Sequence, residues 1–349
     1  MSRLRWLAVL TSVGITLGYG VERARRSAWS MNPAVRDRHA TSPFQIPWLG
    51  WKDVLSRTWV EIFDDRLLSV AASIAFFAIL AIAPGVSVLL SIYGLVGDVS
   101  FRPDQLRTTL ALSPDGAQQI VIDQAQRLSE HPQEKLSWTL LLSFAVAGWS
   151  ANAAVKGLFD GLNVIYDEME KRSFIKFNAI SMMVTIGGIL LLVCAMIIIA
   201  VAPAILLYLP IAAAVEAAIT YLRWPIFYVF GAMAIAILYW IGPSRRPPRF
   251  IWVIPGALIA AFLWGVLSAA FSWYVARLGN YSAMYGSLAT IIVFMTWLWI
   301  SAAIVLLGAE LNAELEHQTA QDTTIGRAKP LGGRGATVAD NIGPPIIKE

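Results

Sequence analysis

Apolar residues in this chain gather into long uninterrupted runs, not into the alternation of strands or the narrow stripes of soluble helices. Six runs, roughly 68–97, 137–158, 175–207, 224–242, 251–276 and 286–309, meet or approach membrane-crossing length. About 20 apolar residues are needed to cross a hydrocarbon core. The pattern predicts an all-α protein, a polytopic membrane helical bundle with six core transmembrane helices. The third run is long enough to tilt, or to bend at Pro203. A weaker run at the extreme N-terminus, "LAVLTSVGITLGYG", is open to three readings. It is a seventh span with its N-terminus outside, a signal peptide without an evident small-x-small cleavage site, or sequence upstream of a natural start at Met31.

The polar segments complete the layout. In "WLGWKDVLSRTWVEIFDDRLL", Trp48, Trp51, Leu55, Trp59 and Ile62 recur at steps of three and four, with Lys52, Arg57 and Asp64 off that stripe. This predicts a surface helix over 48–66, lying on the membrane or packed under the bundle. Residues 98–136 carry turn signals and one helical stripe, and are expected to form an extracytoplasmic cap. After about Gln318 the periodicity ends in a Gly- and Pro-rich stretch, so 317–349 is expected to be a disordered cytoplasmic tail. The expected division is therefore an N-terminal segment 1–47, a membrane domain 48–316, and that tail.

Composition agrees with this class. The chain is 57% hydrophobic and only 14% charged, where soluble proteins are about one-quarter charged. Basic residues concentrate before the first run, between the second and third (Lys156, Lys171, Arg172, Lys176) and in the loop "GPSRRPPRF" with Arg245, Arg246 and Arg249. The positive-inside rule places those segments, and both ends of the six-helix core, in the cytoplasm. The net charge of +4 is explained by this topology and implies no nucleic-acid partner. The single cysteine, Cys194, is read as a small buried hydrophobe.

Several residues stand out against the apolar background. Pro84, beside Gly85, is expected to kink or break the first helix. Asn152 lies deep in the second run and needs a hydrogen-bonding partner, so it should face other helices or water. Small residues at Ala147, Ala151, Gly157 and Gly161, and at Ala261 and Gly265, suit close helix contact. Trp297 and Trp299 lie mid-span and need partners for their indole N–H groups. The three histidines are scattered, no GxxxxGK[ST] motif occurs, and no acidic cluster has two-metal spacing. No catalytic residue, metal site or cofactor is therefore expected.

Four stretches carry a family resemblance: "AASIAFFAILAIAPGVSVLLSIYG", "LFDGLNVIYDEMEKRS", "VIPGALIAAFLWGVLSAAFSWYV" and "NYSAMYGSLATIIVFMTWLWISAAIVLLGAELNAELE". Together they resemble the YihY/BrkB family of bacterial inner-membrane proteins, also called UPF0761 and formerly labelled ribonuclease BN. One departure is "AIAPGV", where the family pattern runs nearer Leu-Ser-Leu-Phe-Pro, so a local serine is lost. The resemblance implies a six-span membrane protein. It marks Pro84, Asn163, Arg172, Tyr285, Gly286, Gly308, Glu310, Asn312 and Glu314 as family-pattern positions without giving them roles.

The functional expectation is a transporter, or a translocator of lipids or amphiphiles, without its own ATPase. Its partners would be membrane lipids and an amphipathic or anionic substrate. The alternative is a scaffold recruiting partners through the surface helix and tail; a membrane ribonuclease ranks last. The acidic stretch "GAELNAELE" has a structural expectation of its own. Glu310 should reach the inner headgroup level, where Glu310 and Glu314 would pair with Arg172 or the "SRRPPR" loop and clamp the sixth span.

Overall fold

The computed structural model describes residues 38–96, 138–208, 213–277 and 288–345. The apolar runs become six long helices, preceded by the predicted amphipathic one. They are α1 (Trp48–Asp64), α2 (Leu67–Val96), α3 (Trp138–Ile165), α4 (Phe174–Tyr208), α5 (Ala213–Ile241), α6 (Ile254–Arg277) and α7 (Ala289–His317). A short α8 (Thr337–Asp340) follows, and two single 3-10 turns, Pro43–Gln45 and Phe250–Trp252, lead into α1 and α6. Among the described residues there is no strand, only an isolated bridge between Pro248 and Thr324. The protein is thus all-α. Three stretches, Phe174–Leu191, Phe250–Val275 and Ile291–His317, are long and apolar enough to cross a membrane, with shorter apolar helices at Leu67–Ala81 and Pro225–Ile241. The predicted cap 98–136 and N-terminal run fall outside the described residues.

The helices differ from the sequence reading in informative ways. α2 continues unbroken through position 84, so the expected break is not there. Proline removes one backbone hydrogen bond, and a long helix retains enough others to continue past it. α5 begins at Ala213, well before the apolar run, and carries Pro225 inside it. α3 and α7 overrun their apolar runs to Ile165 and His317, because their final turns are held by tertiary contacts.

Packing places α7 at the centre. It lies against α2 and α6 and touches α1, α3 and α8, while α2 runs along α3, α5 along α6, and α4 along α3. Leu67, Ala71, Leu162, Tyr239, Ala257 and Leu306 form part of the main core. A second cluster of Ala40, Ile46, Val54, Trp252, Leu311 and Leu315 joins α1 to the end of α7. Elsewhere large apolar side chains face outward, among them Met183, Ile186 and Leu190 of α4. Cys194 is exposed on that helix too, where the sequence reading had it buried. A polypeptide in water would not leave so much apolar surface uncovered, whereas lipid solvates it at no cost.

The mid-span tryptophans find partners inside the bundle. Trp297 Nε1 donates to Ser268 Oγ at 3.1 Å and Trp299 Nε1 to the Leu68 carbonyl at 2.9 Å. They are packing anchors and need no watery lumen.

Close approach occurs where α6 crosses α7. A Cβ on Gly308 would lie 2.6 Å from the Gly256 carbonyl oxygen and 2.8 Å from Ala260 Cβ, and one on Gly256 would meet the Gly308 carbonyl and the Asn312 amide. Gly161 of α3 is similarly tight, with Val70 at 2.8 Å. Gly265, by contrast, faces open space, so the α6 contact lies one end of the helix away from the spacing that suggested it. Gly256→Ala and Gly308→Ala should each destabilise the protein by at least about 1–3 kcal/mol through overpacking. Gly265→Ala and Gly231→Ala should leave thermal unfolding in detergent unchanged or slightly raised.

Candidate functional site at the charged end of the bundle

The last turns of α7 leave the apolar stretch and place Glu310, Asn312, Glu314 and Glu316 in sequence, all buried. Alternate residues of a helix point about 200° apart and residues four apart share a face. The four side chains therefore meet different neighbours. Every side of α7 is covered here, by α1, the start of α6, the 242–249 loop and the returning tail.

Glu314 faces α1. The Arg57 guanidinium forms an ion pair with its carboxylate through Nε, donates to the Glu314 carbonyl at 3.1 Å and to Gln318 Oε1 at 3.0 Å. Arg57 also donates to the Pro344 carbonyl at 3.2 Å, tying in the tail. Glu316 points to the loop after α5, where Arg245 Nη2 donates at 2.7 Å and Thr323 Oγ1 donates at 2.7 Å. The Arg245 guanidinium also lies 3.8 Å from the centre of the Tyr166 ring. Burial opposes the charge of Arg245, but the Glu316 carboxylate more than offsets it and raises the guanidinium above its ordinary value. Asn312 satisfies the exposed start of α6: its Oδ1 accepts from the Gly256 N–H at 2.8 Å and its Nδ2 donates to the Val253 carbonyl at 3.0 Å. Such a junction needs glycine at 256 and an amide at 312 together.

A second knot ties α3 to α5. Asn163 Oδ1 accepts from the Ser244 N–H at 2.7 Å, and Asn163 Nδ2 donates to Glu170 Oε2 at 3.2 Å. Arg172 pairs with Glu170 at 2.6 Å and donates to the Gly242 carbonyl at 2.9 Å, with its guanidinium over Phe159 and Phe177. Burial works against the Glu170 charge. The side-chain and backbone donors of Arg172, with Ser244 and Asn163, prevail and hold its pKa down to about 2. Glu168 accepts from Lys171 at 2.6 Å and from the Thr337 N–H at 2.7 Å.

The tail is folded, contrary to the expectation of disorder. Gln318, Thr319, Thr323, Thr324, Val338 and Ala339 are buried, and Arg334 donates to the Gln321 and Ala339 carbonyls at 3.0 and 2.6 Å. Its glycines supply turns, with positive φ at Gly326, Gly332 and Gly335. Gly-rich composition suggested disorder, but here it provides the left-handed turns of a compact loop.

The predicted site residues therefore divide. Asn163, Arg172, Gly308, Glu310, Asn312 and Glu314 gather at this end of the bundle, whereas Asn152 lies farther along α3, where Thr185 Oγ1 donates to it at 3.4 Å. Tyr285 and Gly286 lie outside the described residues, and so does the side chain of Pro84. The expected ion pairs of Glu310 and Glu314 with Arg172 or the "SRRPPR" loop are not formed among the described residues, but α7 is clamped by other pairs. Arg57 holds Glu314 and Arg245 holds Glu316, while Arg172 turns to Glu170 within its own loop. The sequence sets Arg57 off the tryptophan stripe without giving it a partner. Its position opposite the tryptophan stripe was the available signal. Among the described residues no group of three His, Cys, Asp or Glu side chains is placed to hold a metal ion.

The chain matches the Virulence factor BrkB family over residues 58–331, so it belongs to that family of membrane proteins. It is 33% identical over 192 residues to the ribonuclease-like protein YfkH of Bacillus subtilis, covering 51% of this chain and 66% of the relative. A UPF0761 membrane protein of Aromatoleum aromaticum is 26% identical over 276 residues, covering 74% of this chain and 64% of the relative. A third, from Pseudoalteromonas translucida, is 35% identical over 96 residues, covering 28% and 32%. The chain thus spans less than two thirds of the length of these relatives. No solved structure matches it.

Removing one member of the Arg57–Glu314 pair strands a buried charge. Arg57→Ala should lower unfolding stability by about 3–5 kcal/mol, whereas Arg57→Met combined with Glu314→Leu should cost far less. Thermal unfolding of the purified protein measures both; equal losses in the two would count against a buried ion pair.

Proposed function

We propose that this chain is a six-span protein of the bacterial inner membrane that translocates an amphiphilic or anionic substrate without an ATPase of its own. The observation that supports it best is a cleft of about 420 Å³ between α2 and α3. Val70, Phe77 and Val164 line its walls, and Lys156 and Asp160 place charge within it. Lys156 Nζ donates to Asn178 Oδ1 of α4 at 2.6 Å and lies 5.9 Å from the centre of the Phe177 ring. This fixes the ammonium at the cleft. Apolar walls beside a held cation suit a molecule with a hydrocarbon part and an anionic head. The concentration of basic residues before α2, after α3 and in the 242–249 loop supports a cytoplasmic side for the charged end.

A second reading, a scaffold, is favoured by the outer face of α1, where Trp48, Leu55, Trp59 and Phe63 are exposed while Asp53 and Arg57 are buried. The same face suits the headgroup layer, where tryptophan accumulates. The ribonuclease-like name belongs to the B. subtilis relative.

Reconstitution into liposomes with a panel of fluorescent lipids and small anions tests the first reading. Wild type should move at least one class, and Lys156→Gln should slow it about tenfold, since a charge-assisted contact contributes about 1.5–3 kcal/mol. A flat response across the panel, together with a stoichiometric partner lost in Trp48→Ser/Trp59→Ser, would favour the scaffold.

A further inference from the structure

The clamp accounts for Glu314 and Glu316 but not for Glu310. This side chain is almost fully buried, and its Oε2 has no hydrogen-bond partner. No ion pair reaches it or Asp65 among the described residues. Its neighbour is Asp65, in the elbow between α1 and α2, whose carboxyl lies within hydrogen-bonding reach. The elbow is shaped for this: Arg66 takes a left-handed conformation, φ 51°, which turns the chain sharply after Asp65.

Two ionised carboxylates have four acceptor oxygens and no donor, so they cannot hydrogen bond to each other. A proton on either one creates the donor and removes one of the two like charges. Among the described residues, the groups that act on the pair are acidic. Glu61 and Asp64 face Asp65 from α1 and Asp167 faces it from the turn after α3, while Glu314 lies one turn along α7 with its charge engaged by Arg57 and His317. Tyr166, within the field of Glu310, has a buried hydroxyl without a partner, and Arg245 stacked on its ring is committed to Glu316.

We propose that Asp65 and Glu310 form a proton-binding site, one shared proton held between the α1–α2 elbow and the end of α7. Loading it lets the elbow seat against α7; emptying it leaves two carboxylates repelling across that contact. The pair thereby couples proton occupancy to the joint between the surface helix and the central span. The proposal concerns occupancy of the pair and does not depend on the transport reading.

The linkage has a definite sign. Burial, reinforced by Glu61 and Asp167, raises the Asp65 pKa from 3.8 to about 7. A carboxyl raised on folding favours the folded state below its ordinary value, and for the pair that contribution is lost only as pH rises above the ordinary carboxylate range and the shared proton leaves. Because the two carboxyls interact, the titration belongs to the pair.

The test is an infrared pH titration of the full chain in lipid nanodiscs, following the carbonyl stretch of protonated carboxyl groups. Wild type should keep one such band above the ordinary carboxylate range and lose it only at alkaline pH, as the pair gives up its shared proton. Asp65→Asn and Glu310→Gln should each remove that titration, while Glu170→Gln should keep it. Thermal unfolding across the same pH range gives a second readout: wild type should lose stability with rising pH, and Asp65→Asn should flatten the slope. A band that titrates unchanged in both variants overturns the proposal. So does a midpoint that moves with sodium concentration at fixed ionic strength, which would assign the pair to a metal cation.

Discussion

Four polar side chains, Glu310, Asn312, Glu314 and Glu316, leave the apolar length of α7 and remain buried. An unpaired buried charge costs several kcal/mol, so each must be answered by a group that the fold brings to it. That requirement organises the charged end of the molecule. It explains why α1 lies where Arg57 can reach Glu314, and why the loop after α5 folds back with Arg245. The tail must also close over the pairs, because its Thr323 and Pro344 complete their hydrogen bonding.

The distribution of polarity is consequently reversed between the two parts of the bundle. Along the spans, many apolar residues face outward, and the interior packs Leu162, Tyr239 and Leu306 with small residues and amides such as Asn152. At the charged end the interior is ionic, and the exposed side of α1 carries tryptophan and phenylalanine. Lipid around the spans and headgroups around the end reconcile both. An aqueous exterior would reconcile neither.

Two kinds of chemistry are separated on this frame. The α2–α3 cleft combines apolar walls with Lys156 and Asp160, and α2 is shared between it and the elbow that carries Asp65. Leu67, immediately after the elbow, is buried in the main core with Ala71 and Leu306. A change at the elbow therefore acts on a helix that also lines the cleft. The Glu170–Arg172 knot pins α3 to α5 through backbone carbonyls, and its Arg172 shares the Phe177 ring with Lys156 of the cleft.

The sequence by itself determined the helices. Long apolar runs have one solution in a bilayer, and their number and order can be read without tertiary information. The amphipathic stripe over 48–66 was legible from residue type and local spacing, whereas Asn163, Arg172, Gly308, Glu310, Asn312 and Glu314 were marked as family-pattern positions by the family resemblance. Only the tertiary structure decided the partners. Arg57 and Glu314 are 257 positions apart, and the tryptophan stripe sets Arg57 on the opposite face of α1 without naming its partner. Composition likewise gave the wrong state for the tail, since Gly and Pro permit either disorder or tight turns until buried groups elsewhere select one. The unpaired state of Glu310 was the least accessible from sequence: it depends on where every nearby cation has already been engaged.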